Sequence, residues 1–195
     1  MGSVESLTNV KKIVENINEP VVVVVSALGG ITDRLIRTSQ LAVAGDDNHR
    51  NEFDAMVDRH HGIIDAVIPA GAAHDTLKAK VDALLDELRS IYHGVYLIRD
   101  MTQKTANVIV SYGERMSSQI VSAFIEGSQC YDSREFIKTV RKQNRNLVDF
   151  DVTIRLVIQT FARMPRIAVV PGFIASDAND GETTNLGRGG SDTSA

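Results

Sequence analysis

The sequence predicts an α/β protein in which a mostly parallel sheet lies between layers of helices. Two apolar runs, 21–25 and 167–170, are rich in β-branched residues and show no polar alternation, which is typical of strands covered on both faces. Long stretches with helical periodicity separate the two runs. Strands that alternate with helices are joined by right-handed crossovers and pair in parallel, and the run 21–25 is predicted to be a central strand.

The composition fits one soluble globular domain. The chain has 195 residues, of which 43% are hydrophobic and 24% are charged, enough for a sizeable core. Its 21 Lys and Arg against 25 Asp and Glu give a formal charge of −4, which argues against the basic surface of a nucleic-acid-binding protein. The single cysteine, Cys130, excludes an internal disulfide, and no apolar run is long enough to span a membrane. We therefore expect a cytoplasmic protein without nucleic-acid or membrane partners.

The N-terminal unit is predicted to be a helix, a strand, a turn and a second helix. Apolar residues recur at helical spacing over about 6–18, and the strand 21–25 follows. The glycines of the turn 26–30 lead into a helix that begins at Thr32 or Asp33.

The middle of the chain is predicted to be helical. Apolar residues at three- and four-residue steps indicate helices over about 53–67, 77–96 and 105–126. A break at 69–71, which contains proline and glycine, and the polar stretch 100–104 separate these helices.

The last third of the chain contains shorter elements. The pattern indicates a short strand over 128–131, a short helix or turn over 132–140, and a helix over 152–164 that precedes the strand 167–170. The basic stretch 138–145 is interpreted as a solvated loop, because charged side chains are mostly exposed.

Ligands of parallel sheets bind beyond the carboxyl ends of the strands. Here the loops 26–33 and 171–194 follow the two apolar strands, and a site is expected where they meet. The first loop combines glycines that can expose backbone N–H groups with two hydroxyl side chains: Ser26, Gly29, Gly30 and Thr32. The alternative is an ordinary tight turn between a strand and a helix.

The second loop holds three glycines, a cation and two candidate helix N-caps: Gly187, Arg188, Gly189, Gly190, Ser191 and Asp192. Glycines permit close backbone approach, and the N–H groups at a helix start attract anions, which a guanidinium also binds. Neither standard phosphate-binding fingerprint fits the segment. A flexible loop that ends in a capped helix remains the alternative.

Glu114 is the most unusual residue of the predicted helix 105–126. It lies on the same helical face as Val121, and Gly113 and Ser117 leave space beside it. A carboxylate on a core-facing side is costly unless a cation pairs with it. The partner is either a structural lysine or arginine, or a cationic ligand.

No metal site is predicted. The adjacent histidines His60 and His61 face different sides of a helix, and Cys130 has no neighbour in sequence that would activate it.

Four motifs together resemble those of the aspartokinases. They are Val-Ser-Ala-Leu-Gly-Gly-Ile-Thr-Asp at 25–33, Tyr-Gly-Glu-Arg-Met-Ser at 112–117, Pro-Gly-Phe-Ile-Ala-Ser at 171–176 and Thr-Thr-Asn-Leu-Gly-Arg-Gly-Gly-Ser-Asp at 183–192, in the family's order. The resemblance covers almost the whole chain and extends to the kinase part of the fused aspartokinase–homoserine dehydrogenase. It implies the amino-acid-kinase (carbamate-kinase-like) fold, a three-layer αβα sandwich, with residues 1–195 as the N-terminal, amino-acid-binding part of one catalytic domain.

The resemblance also implies an activity. This is transfer of the ATP γ-phosphoryl group to the side-chain carboxylate of L-aspartate, the first step of lysine, threonine and methionine synthesis, with Mg²⁺ as cofactor and a homo-oligomeric enzyme. By motif, Glu114 would hold the substrate ammonium and Arg188 its α-carboxylate. Three residues would complete the aspartate pocket, Thr32, Ser191 and Asp192, and Asp192 would be catalytic. Six residues would contact phosphates: Ser26, Gly29, Gly30, Gly187, Gly189 and Gly190.

The sequence departs from the family pattern at both ends. Aspartokinases begin with a strand and a Lys-Phe-Gly-Gly-Thr-Ser segment whose lysine neutralises the transferring phosphate, whereas the first residues of this sequence resemble the stretch just after that segment. The resemblance therefore implies a chain truncated at both ends, with weak activity or none. Two alternatives stay open: another kinase of the same fold, such as acetylglutamate or uridylate kinase, and a non-catalytic amino-acid-binding module.

Overall fold

The computed structural model describes residues 2–142, 145–187 and 194. The helices are α1 (Val4–Glu15), α2 (Ile31–Ala44), α3 (Asn48–Val67), α4 (Ala72–Ile98), α5 (Gln103–Phe124) and α6 (Phe150–Phe161). The strands are β1 (Val21–Val25), β2 (Ser128–Cys130), β3 (Lys138–Lys142), β4 (Arg145–Val148), β5 (Ile167–Pro171), β6 (Ile174–Asp177) and β7 (Thr183–Asn185). A 3₁₀ turn covers Ser133–Glu135, inside the stretch predicted as a short helix or turn.

The predicted helices are confirmed, and local sequence explains several of their ends. Helix α1 begins with a capping box in which Ser3 and Ser6 each accept a hydrogen bond from the other's backbone N–H. Helices α2 and α4 end at residues in the left-handed conformation, Gly45 with φ of 70° and Arg99 with φ of 54°. The main core lies among α2, α3, α4 and α5 and includes these fully buried side chains: Leu35, Met56, Val81, Leu88 and Ile109.

The first sheet has three parallel strands in the order β1-β5-β2. Val23 pairs with Val169, and every residue of β5 is buried, which confirms the prediction of a strand covered on both faces. In contrast, β1 pairs only with β5 among the described strands, and Val22 is 43% exposed. The prediction that 21–25 is the central strand is therefore wrong for the sheet described here. Runs of valine favour a strand, but they do not determine which neighbours cover it.

The second sheet, in the order β4-β3-β6-β7, is not predicted by the sequence. Strands β3 and β4 form an antiparallel hairpin in which Thr139 pairs with Val148, so the interpretation of 138–145 as a solvated loop is wrong. Thr139 is fully buried and shares a hydrogen bond of 2.8 Å with the hydroxyl of Thr184, whereas Lys142 is exposed. The buried residue of β3 is a threonine, and the strand also contains three charged residues, so there is no apolar alternation by which it could be recognised.

Helices α5 and α6 cover opposite faces of the first sheet. Val169 belongs to the main core, to which α5 contributes, and Val170 belongs to a smaller cluster that includes Leu156 of α6. Because successive residues of a strand point to opposite faces, the sheet lies between helical layers, as the sequence predicts. Within the described part of the chain, no helix is both long and apolar enough to cross a membrane.

Candidate functional site

The loops after β1 and β5 begin side by side at one edge of the first sheet. The Gly172 N–H donates a hydrogen bond to the Val25 carbonyl, with an N–O distance of 2.8 Å. Beyond Val25 the chain turns through Gly30, whose φ is 80° and which directly precedes α2. Among the residues that the structure describes, no side chain caps this helix start, so backbone N–H groups of its first turn are able to bind an anion.

Glu114 is a buried carboxyl group at this edge of the sheet. The residue is 3% exposed, and its Oε1 accepts a hydrogen bond from the Ala27 N–H at 3.4 Å. Its Oε2 is buried and has no hydrogen-bond partner among the described residues. Burial raises the pKa of Glu114 to about 7, against a smaller lowering by backbone N–H groups. The predicted core-facing position is confirmed, and no lysine or arginine in 2–142 or 145–187 forms an ion pair with it.

Helix α5 approaches the turn closely enough for direct hydrogen bonds. A Cβ atom at Gly113 would lie 2.9 Å from the Ala27 Cβ, so a residue without a side chain is needed at this contact. One turn further along, the Ser117 hydroxyl donates to the Ser26 carbonyl at 2.8 Å. Sequence reasoning interpreted Gly113 and Ser117 only as space beside the carboxylate, whereas the structure shows that they bring the helix and the turn together.

The structure places only part of the predicted site. Ser26 and Gly29 are exposed on the turn, and Thr32 is half-buried in the first turn of α2. Gly187 is exposed beyond β7, with φ of 78°. Five predicted site residues lie outside the described residues, and their roles stay predictions: Arg188, Gly189, Gly190, Ser191 and Asp192.

A cavity of about 430 Å³ lies between the N-terminal end of α5 and the second sheet, and Gly187 is part of its lining. Asn185 also lines this cavity, and its Nδ2 donates to Asn107 Oδ1 at 3.3 Å. The Asn185 Oδ1 atom is buried, and nothing in the described structure bonds to it. Lys104 and Glu182, in the same lining, form an ion pair that links α5 to the loop before β7. Asn185, a lining residue of this cavity, thus has a buried unsatisfied acceptor two residues before Gly187.

Sequence reasoning missed Asn107, Asn185 and Phe173 in this region. Asn107 precedes Glu114 by seven residues, which places both on one face of α5, about 10 Å apart along the axis. That spacing could have identified Asn107 as a neighbour of the site. Phe173 lines the cavity with φ of 65°, a strained conformation for a residue with a bulky side chain, and no sequence pattern predicts it.

His60 and His61 lie on α3, whereas Cys130 ends β2 and lines a cavity with Ser118 and Pro171. His60 is buried, its Nδ1 lies 2.7 Å from the Met56 carbonyl, and burial lowers its pKa to about 4. His61 instead bonds to Asp82, with an Nε2–Oδ1 distance of 2.6 Å, so the prediction that the two rings face different ways is confirmed. Burial raises the pKa of the Cys130 thiol. No three His, Cys, Asp or Glu side chains within the described ranges are grouped as a metal would require.

Comparison with known proteins identifies relatives of the chain. The chloroplastic aspartokinase 1 of Arabidopsis thaliana is 25% identical over 211 residues, a match that covers 100% of this chain and 36% of that protein. The chloroplastic bifunctional aspartokinase/homoserine dehydrogenase 1 of Zea mays is 30% identical over 203 residues and is matched over 22% of its own length. The chain therefore spans well under half the length of these relatives.

Solved structures show the same fold. E. coli aspartokinase III in complex with aspartate and ADP superposes with a TM-score of 0.86 at 24% identity, over 100% of this chain and 43% of that chain. The same enzyme in complex with lysine and aspartate gives a TM-score of 0.85, also at 24% identity, over 98% of this chain and 42% of the other. The predicted amino-acid-kinase fold is thus confirmed. The sequence profile of the amino acid kinase family matches residues 1–195, and the chain belongs to that family.

Proposed function

We propose that this chain forms the amino-acid-binding part of an aspartate kinase, which transfers the γ-phosphoryl group of ATP to the side-chain carboxylate of L-aspartate. Its relatives support this class, because they are aspartokinases and one structural neighbour holds aspartate and ADP. The observation that carries the proposal is Glu114, whose Oε2 is buried without a partner in the part of the chain that is described.

The chemistry of Glu114 fits an ammonium ligand. A carboxylate removed from water needs a cation or hydrogen bonds to stay charged. An amino acid's ammonium group has one positive charge and three N–H donors, so it would meet both needs at Oε2. With a pKa of about 7, Glu114 is roughly half ionised at neutral pH without a ligand, and a bound ammonium would favour the charged form.

The anionic groups of the substrates also have a place near the turn. The start of α2 at Gly30 would offer backbone N–H groups to a phosphate, and no described atom lies within 4 Å of a Cβ placed at Gly30, so the turn is open on this side. The motif resemblance assigns the substrate α-carboxylate to Arg188. Mg²⁺ would enter bound to the ATP phosphates and offset their charge. Phosphoryl transfer depends on such positioning and charge neutralisation more than on covalent catalysis.

The carboxyl group of Glu114 also distinguishes an aspartate kinase from the other kinases of the same fold. N-acetylglutamate has an amide in place of the ammonium, and uridylate has no ammonium, so neither supplies the cation that Glu114 needs. A non-catalytic module would hold an amino acid in the same way and differs only in its response to ATP.

Titration calorimetry at pH 8 tests the proposal. L-aspartate is compared with succinate, which is aspartate without its ammonium, and we expect succinate to bind at least about tenfold more weakly because one charge-assisted contact is lost. Glu114→Gln should lose this preference. Glu126→Gln, which removes an exposed carboxylate just beyond α5, should retain it. A chain that binds succinate as tightly as aspartate contradicts the proposal.

Trapping of aspartyl phosphate with hydroxylamine measures phosphoryl transfer, for which we expect a weak rate or none from this chain alone. Aspartate binding that never responds to ATP favours the non-catalytic module instead. A cytoplasmic location and a homo-oligomeric state belong to the same proposal, and light scattering checks the second.

A further inference from the structure

The peptide group between Ser26 and Ala27 is held by helix α5 at both of its polar ends. The Ser26 carbonyl accepts a hydrogen bond from the Ser117 hydroxyl at 2.8 Å, and the Ala27 N–H donates to Glu114 Oε1 at 3.4 Å. Both groups belong to one rigid peptide plane, and Glu114 and Ser117 are one helical turn apart. The peptide just beyond β1 is therefore fixed between two side chains of the same helix.

The hydrogen bond from Ser117 is the stronger of the two. A distance of 2.8 Å is normal for an O–H donor, whereas 3.4 Å lies beyond the usual range for an N–H donor. The Ser117 hydroxyl also lies 3.1 Å from the Glu114 carbonyl of its own helix, but its single proton favours the nearer acceptor on the turn. Ser117 is 0% exposed, so water does not compete for that proton.

Another buried serine of α5 shows that a serine hydroxyl in this helix does not have to bond to a different element. Ser111 is also 0% exposed, and its hydroxyl donates to the Val108 carbonyl within α5 at 2.6 Å. Ser117 has an equivalent carbonyl, that of Glu114, at 3.1 Å, yet its shorter contact, of 2.8 Å, is with a different element. Ser117 and Ser111 thus form a matched pair, in which only the first hydroxyl links α5 to the turn.

We propose that Ser117 is a positioning residue that, through the Ser26–Ala27 peptide, sets the hydrogen bond to Glu114 and the direction in which the Gly29–Gly30 turn leaves β1. Rotation of that peptide would turn the Ala27 N–H away from Glu114 and would at the same time change the direction of the Gly29–Gly30 turn. The effect on substrate rests on the proposed function. There, loss of the Ser117 hydroxyl should weaken aspartate binding roughly tenfold, which corresponds to about one hydrogen bond.

Amide nuclear magnetic resonance spectra recorded between pH 5 and pH 9 test the inference directly. In the wild-type chain the Ala27 N–H signal should shift with a midpoint near pH 7, because the carboxyl group that it bonds to titrates with a pKa of about 7. Ser117→Ala should lose most of this shift, and Ser111→Ala should keep it. Calorimetry with L-aspartate on the same three proteins measures the consequence for binding.

Several results would overturn the inference. One is a full Ala27 response in Ser117→Ala, whatever happens to aspartate binding. Another is an equal loss in Ser111→Ala, which would mark a general effect of loosening α5. A lost Ala27 response with wild-type aspartate affinity would show that Ser117 has a structural role only. If Ser117→Ala does not fold, Ser117→Cys takes its place with the same expectation, because a thiol has a similar size but donates weakly.

The two proposals fail in different ways. If the wild-type chain binds no aspartate, the proposed function falls, while the Ala27 signal still decides whether Ser117 orients the peptide.

Discussion

Replacing Glu114 by glutamine separates the electrostatic cost of the buried carboxyl group from its packing, because the two side chains have nearly the same shape. Burial raises the pKa of Glu114 from 4.5 to about 7 on folding. The folded chain therefore binds this proton more tightly than the unfolded chain does. As a result, the free energy of unfolding decreases as the pH rises from about 4.5 to about 7, and this loss is complete above pH 7.

The size of the effect is set by the same two values. A pKa difference of one corresponds to about 1.4 kcal/mol, so the rise for Glu114 makes ionisation cost the folded state up to about 3 kcal/mol. Because the unfolded carboxyl group is already mostly ionised at pH 5, about 2 kcal/mol of this remains to be lost between pH 5 and pH 8. The glutamine variant has no carboxyl group to ionise. Its buried amide has an energetic cost of its own, but that cost does not change with pH.

Urea unfolding followed by circular dichroism at pH 5, 6, 7 and 8 measures the difference. Between pH 5 and pH 8, we expect the free energy of unfolding of Glu114→Gln to rise by about 2 kcal/mol relative to that of the wild-type chain. Saturating L-aspartate should abolish this relative rise, because its ammonium group would stabilise the charged carboxylate of the wild-type chain. Glu126→Gln, which changes an exposed carboxylate, should follow the wild-type chain at every pH. The reasoning is refuted if the difference in free energy of unfolding between wild type and Glu114→Gln stays constant with pH, since the carboxyl group would then be solvated or already paired.

Three further predictions concern affinity and stability. Aspartate affinity, measured by calorimetry, should fall about tenfold from pH 8 to pH 6, because Glu114 must lose a proton to hold the ammonium; an affinity that does not vary contradicts this. Gly113→Ala should lower the free energy of unfolding in urea by about 1–3 kcal/mol through the clash with Ala27, whereas Gly94→Ala, with nothing within 4 Å of the added Cβ, should not be destabilising. Asp65 raises the pKa of His74, so this pair stabilises the chain below the unfolded pKa of His74 and the benefit is lost as the pH rises through the folded pKa. The stability difference between wild type and His74→Gln should accordingly be larger at pH 6 than at pH 9, and an equal difference would exclude the ion pair.

The helical part of the fold is predictable because its periodicity is long and regular. Leu77, Val81, Leu85 and Leu88 recur at three- and four-residue steps, and all four are buried in α4. The second sheet is not predictable in the same way, because its strands are short and several of their buried residues, such as Thr139 and Thr184, are polar. Thr139 in β3 is satisfied by a hydroxyl that lies 45 residues further along the chain, a pairing with no local signal.

The position of Glu114 could be predicted from its helical face, but its surroundings could not. The hydrogen bonds that define them involve the backbone of Ser26 and Ala27, and every residue type except proline has the same N–H and carbonyl groups. A backbone partner therefore leaves no trace in a sequence pattern. The helical pattern leaves a structural cation and a ligand as alternatives, and only the geometry shows that the described residues provide no cation.

The spacing of the motif at 112–117 is explained by this geometry. Gly113 and Ser117 are four residues apart, so they lie on one face of α5, where the first allows close contact with the turn and the second bonds to it. Glu114, next to Gly113 and one turn before Ser117, is thereby brought to the other polar end of the same peptide. A helix that stood further away could present the carboxyl group, but it could not bury one of its oxygens beside the turn. The close approach thus creates both the raised pKa and the unsatisfied acceptor, so Gly113, Glu114 and Ser117 act as one unit.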